Sequence, residues 1–260
     1  LILALLCWTP GLVLSVSPAF AAFINWDGSE DTSWADGDNW VGDAVPGPAD
    51  VAGFDDDTSG NSCVVDESVD VLGITLDNYT GTLDLGDTAE DIQIGTSGFL
   101  VDEGTVDMGT ADVTITGGPF DYAQVSGGSW TAGTGSVTVV GTCPVTGVVG
   151  NTLHHLRLYA SGAGNTLVEL DGVFTITTLE LENAGTGLVT LDNSTNGPTI
   201  NCVELTIDIN STGDVKIDNA GVQVDITITG DVVDQANTDT DFVYLKGTGT
   251  ITALGTSAQD

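Results

Sequence analysis

From Cys63 to the end of the chain one short pattern returns about every twenty residues: an aliphatic side chain, then a threonine, glutamine or charge, then a second aliphatic. It stands at Ile74-Thr75-Leu76, Ile92-Gln93-Ile94, Val113-Thr114-Ile115, Val137-Thr138-Val139, Leu156-Arg157-Leu158, Leu179-Glu180-Leu181, Leu205-Thr206-Ile207, Ile226-Thr227-Ile228 and Ile251-Thr252-Ala253. A period of two is that of a strand with one face buried, and no segment of this region keeps the apolar i, i+3, i+4 spacing of a helix. Shorter fragments such as Thr82-Leu83-Asp84-Leu85, Val168-Glu169-Leu170 and Val215-Lys216-Ile217 lie between them. Two or three short strands per repeat, joined at corners that the 35 glycines can turn, predict an all-β chain wound as a single-stranded parallel β-helix, a β-solenoid whose coils stack. An antiparallel β-sandwich uses similar strands and turns, and is the alternative. The near-constant spacing over so many units favours the solenoid.

Ahead of the repeats, residues 22–62 are of another kind. The stretch from Phe23 to Asp57 holds Trp26, Trp34 and Trp40 among Asp, Gly, Ser and Thr, and is broken by Pro46 and Pro48. It is too interrupted for a helix and too aromatic for a linker, which predicts a loop-built cap over the first coil. Its order is Trp26-Asp27-Gly28, then Thr32-Ser33-Trp34 with Asn39-Trp40, then Pro46 to Asp50 and Phe54. This order resembles the opening of bacterial secreted β-solenoid proteins, the autotransporter-passenger and surface-adhesin type. The resemblance implies a right-handed parallel β-helix located outside the cell, and it carries no catalytic residue to this chain.

Residues 1–21 are an apolar run ending in Ala19-Phe20-Ala21, the form of a signal peptide's core and cleavage site. A membrane anchor is the other reading, against which stand Pro10, Gly11, Pro18 and the shortness of the run. With no methionine or basic residue before Leu1, the sequence is expected to start inside the signal, and the mature chain at Ala22. The repeats from 63 to 260 stop without a second cap, so a continuation or a pairing end is expected there.

Lys and Arg total 3 against 38 Asp and Glu, a formal charge of −35, while 41% of residues are apolar. The charge therefore lies on a folded body, one that repels nucleic acid and anionic membranes. The three cysteines left after cleavage, Cys63, Cys143 and Cys202, sit in or beside apolar strands without zinc-site spacing, as small buried hydrophobes do. One disulfide among them stays open.

Calcium is the one cofactor the sequence suggests. Asp55, Asp57, Ser59, Asn61 and Asp66 outline an oxygen-rich loop with Gly60 at its turn. A plain acidic turn between cap and coils fits the same residues, and the missing terminal Glu and flanking helices weigh toward it. The tryptophan trio could stack on sugar rings, but indoles more often fill an interior. His154 and His155 are neighbours on a strand and would point to opposite faces. The cations Arg157, Lys216 and Lys246 fall on different coils, where a lyase would need them together, and no nucleophile elbow, zinc motif or phosphate loop occurs. The reading is a secreted or cell-surface structural or adhesive solenoid, non-catalytic and able to self-assemble into oligomers or filaments, with a glycan or protein as extracellular ligand. The alternative is a carbohydrate-binding or polysaccharide-degrading β-helix protein. A side groove with an exposed aromatic and two facing carboxylates would favour that alternative.

Overall fold

The computed structural model of the chain describes residues 21–86, 91–122, 128–147, 150–193, 198–209, 214–218, 225–234, 243–246 and 250–253. The signal-like residues 1–20, including Cys7, lie outside them, as do residues 194–197, 210–213 and 254–260. Among the described residues every pairing between strands is parallel. This excludes the antiparallel sandwich. The one helical element among them is a single 3-10 turn, Gly37–Asn39, and no helix is long and apolar enough to cross a membrane.

The coils are locked by ladders of inward side chains. One runs through Ile24, Ala52, Ile74, Phe99, Phe120, Val145 and Leu170. A second runs through Val69, Ile92, Val113, Val137, Leu156, Leu179, Leu205 and Val232. Nearly all of these residues are buried, so each coil's apolar set faces the next and each rung contributes roughly 1.5–3 kcal/mol per filled aliphatic position. Successive rungs lie nineteen to twenty-eight residues apart, because the corners, and not the rungs, absorb the differences in length.

Cys63, Cys143 and Cys202 are ladder positions too, each buried and unpaired. Burial pushes their thiols up, to about 12 for Cys143 and about 11 for Cys202, which leaves them inert hydrophobes.

Corners show why the sequence is rich in glycine and aspartate. Thr82-Leu83-Asp84-Leu85-Gly86 and Thr105-Val106-Asp107-Met108-Gly109 stack on each other, and in each the aspartate Oδ1 accepts from the glycine N–H, at 2.9 and 3.1 Å. Gly98 bends the strand Asp91–Val101 between the two ladders. It has φ +79, and a Cβ there would stand 2.1 Å from the Pro119 carbonyl oxygen.

The cap is continuous with this ladder. Its strand Phe23–Asn25 pairs with Val51–Asp55, which pairs with Val69–Asp77. The compositional change at Cys63 is therefore not a break in the ladder, which among the described residues already includes Phe23–Asn25. Between those first strands Trp26, Trp34 and Trp40 fold inward with at most 1% exposure. Trp40 meets Trp26 and Trp34 edge to face, centroids 5.2 and 4.7 Å apart, and all three rings pack on Phe54. Such pairs add about 0.5–1.5 kcal/mol each beyond the burial itself. Their polar edges are answered inside the protein, Trp26 Nε1 donating to Asn61 O and Trp40 Nε1 to Trp34 O. The trio is thus interior filling and offers no platform for a sugar.

Asn39 explains the Asn-Trp step of the motif. It is fully buried, its Oδ1 accepts from the Glu30 and Asp31 N–H groups, and its Nδ2 donates to Asp31 Oδ1 and Ser33 O. One side chain thereby satisfies a whole loop. Hydrogen bonds from Ser33 N–H and Asn39 in turn hold the Asp31 carboxyl below its ordinary range.

Candidate functional site

The suggested calcium-loop residues act as fasteners between cap and coil. Asp55 ends the strand Val51–Asp55; its Oδ1 accepts from Thr58 N–H at 2.9 Å and its Oδ2 from Asn25 Nδ2 at 3.2 Å. Ser59 Oγ accepts from Asn61 N–H, and Asn61 Nδ2 donates to Gly28 O. Asp66 Oδ2 accepts from Ser33 Oγ at 2.6 Å and its Oδ1 from Ala35 N–H at 3.1 Å, tying down the loop that carries Trp34. Asp57 stands exposed in the turn. The structure thus gives Asp55 and Ser59 to one turn and Asp66 to another loop.

A charged cluster lies elsewhere, on the outer side of the second ladder. Outward residues of successive coils are stacked by the inner register: Arg157 opposite Glu180, and Tyr159 opposite Glu182 opposite Asp208. The contacts run one diagonal step along the strand. His155 Nε2 lies 2.9 Å from Glu180 Oε2, and Arg157 Nε donates to Glu182 Oε2 at 2.6 Å while its Nη2 reaches the same oxygen. The Arg157 guanidinium also sits 4.5 Å from the centroid of the Tyr159 ring, a cation–π arrangement. The hydrogen bond to His155 is the main reason the Glu180 carboxyl is held below its ordinary value of 4.5, burial opposing and the nearby cations assisting.

Glu180, Glu182 and Asp208 each bring a carboxylate oxygen within 4.8 Å of the other two, and Asp208 Oδ1 is a buried oxygen with no hydrogen-bond partner. Three oxygens are about half of what a calcium ion takes, and Arg157 already supplies a positive charge to the group. For glycoside hydrolysis two carboxyl groups stand about 5–9.5 Å apart across a bond to be cleaved. Here one oxygen of each lies within 4.8 Å of the others, and Arg157 donates to Glu182.

The residues of this cluster were not legible as a group. Leu153 and Leu156 are both buried with His154 and His155 half-buried between them, so the strict alternation expected of the two histidines is interrupted within the strand Thr152–Ala160. The signal that finds the cluster is the alignment of Leu-Arg-Leu-Tyr, Leu-Glu-Leu-Glu and Leu-Thr-Ile-Asp on their aliphatic residues.

Comparisons with protein-family models, with curated proteins and with solved structures found no match. On its geometry the chain is a parallel β-solenoid whose first coils are closed by a tryptophan cap, with outer faces that carry acidic and threonine-rich columns.

Proposed function

We propose that this protein is a secreted or cell-surface scaffold, structural or adhesive and non-catalytic, whose side faces bind a partner. The observation that carries the reading is the continuous parallel ladder from the cap onward. It makes a body built by repetition, with broad outer faces, which is how solenoids present binding surfaces. The apolar run before Ala22 and the cap motif support a place outside the cell.

Beads coated with the full mature chain test it, scored for retention on immobilised glycans and extracellular proteins and in parallel for release of reducing ends from polysaccharides. Binding without release is the expected outcome; failure to bind any surface overturns the adhesive role. The polysaccharide-active alternative keeps one specific observation in its favour, the half-buried Tyr159 beside Glu180, Glu182 and Asp208. Release of sugar abolished by Glu180→Gln or Glu182→Gln would replace the scaffold reading with that one.

A further inference from the structure

A cleft of about 290 Å³ opens on the outer side of the first ladder. Its floor follows one outward column, Thr75 opposite Leu100 opposite Asp121 on three successive coils. Leu100 is half-buried and aliphatic where the neighbouring rungs of that column are Gly53, Thr75, Asp121 and Thr146. One wall is acidic. Leu76 pairs with Val101, and Asp102 N–H donates to the Leu76 carbonyl at 2.9 Å, so Asp77 and Asp102 leave the sheet side by side and both are exposed. Asp55, paired with Asp77, extends that wall to the coil before.

Leu100 in that floor packs well against methylenes, and the carboxylates of Asp77, Asp102 and Asp121 around it suit a cationic tip. Lysine and arginine carry this combination, an apolar stem with a charged head. The volume is at the lower end of what a drug-sized ligand occupies and fits a single long side chain. The chain itself holds only three Lys and Arg residues, with Arg157 engaged by Glu182, so a second copy is poorly suited to supply that group. A charge of −35 instead draws in a basic partner.

We propose that this cleft docks a lysine or arginine side chain presented by an extended basic segment of a partner protein. The proposal deepens the scaffold reading by naming the partner's chemistry. Its test uses the purified full chain and labelled pentalysine, followed by fluorescence anisotropy at near-physiological salt. Asp77→Asn with Asp102→Asn should weaken binding about tenfold. The equal removal of charge at Asp91→Asn with Asp112→Asn, an in-register pair on another face, should change it less than about twofold. Leu100→Ser, which leaves the charge untouched, should weaken it several-fold. Equal weakening by the two double variants would mean diffuse attraction to an acidic surface and overturn the proposal, as would unchanged binding in Leu100→Ser. Because no adhesion is measured, pentalysine binding together with failure of the coated beads would sink the adhesive role and leave the cleft standing.

Discussion

Stacking coils in register can place like charges opposite one another, and Asp91 opposite Asp112 is a clear case. Neighbouring strands lie roughly 4.8 Å apart, so two exposed carboxylates there repel by about 0.9 kcal/mol in water; exposed like pairs on sheets fall within about 0.2–1 kcal/mol. Asp112→Asn removes that repulsion while keeping an oxygen to accept from Ser136 Oγ, as Asp112 does. It should stabilise the protein by about 0.5 kcal/mol at low ionic strength, a rise of about 1–2 °C in Tm for a chain of this size. Asp91→Asn should give a similar rise, and the double variant no more than either alone, since the second substitution finds no charge left to escape. At about 1 M salt, where the screening length falls to about 3 Å, the gain should vanish. Urea unfolding followed by circular dichroism at low and high salt measures all four proteins. Additive gains, a gain that survives high salt, or destabilisation by Asp112→Asn would refute the argument.

Asn39→Ala should lower stability by about 2–4 kcal/mol, because two loop N–H groups lose their acceptor and two acceptors their donor; an unchanged unfolding midpoint by tryptophan fluorescence would contradict this role. Gly98→Ala should be worse than Gly42→Ala, which shares a positive φ but meets nothing within 4 Å; the second should cost about 1 kcal/mol of backbone strain, and equal Tm losses would count against the Pro119 clash. Since the folded Glu180 carboxyl is held below its ordinary 4.5, its stabilisation is present above that value and lost as pH falls through the lower folded one. Glu180→Gln should therefore be less stable than the parent at neutral pH, the gap closing as the solution is acidified below 4.5; a gap that stays constant down to pH about 3 would show that the ion pair is not its source. Chelator or calcium should shift Tm no more than magnesium at the same ionic strength, because Asp55, Ser59 and Asp66 already accept protein donors; a calcium-specific rise would restore the loop around Asp57 and Asn61 as an ion site.

Alternation of aliphatic and polar residues made the strands visible, and the tryptophan-rich stretch made the cap visible, since both signals are local. Where the cap ends was not local. Phe23–Asn25 reads as part of an aromatic loop, and only its pairing with Val51–Asp55 shows that it is a rung. The clusters failed for a related reason. Arg157 and Glu182 are brought together by a register that depends on how many residues each corner consumes, and those lengths differ from coil to coil. A constant period of twenty would have put the wrong side chains in contact. Asp66 is a similar case, since spacing groups it with Asp55 while the fold assigns it to the loop around Trp34.

The contest between inside and outside explains why such acidic columns persist at all. A buried rung such as Leu156 opposite Leu179 contributes roughly 1.5–3 kcal/mol per side chain, whereas a like-charged outer pair such as Glu169 opposite Asp192 opposes it by at most about 1 kcal/mol. Sliding one coil by a single residue to separate the charges would turn every leucine of that coil outward. The register is consequently dictated from within, and the outer columns follow whatever it imposes. That leaves outward positions free to vary without threatening the stack, so a solvent-facing departure from polarity such as Leu100 is not required by packing of the coils. At such positions, beside carboxylates that the interior forces into line, the proposed basic side chain would meet both an apolar contact and an opposite charge.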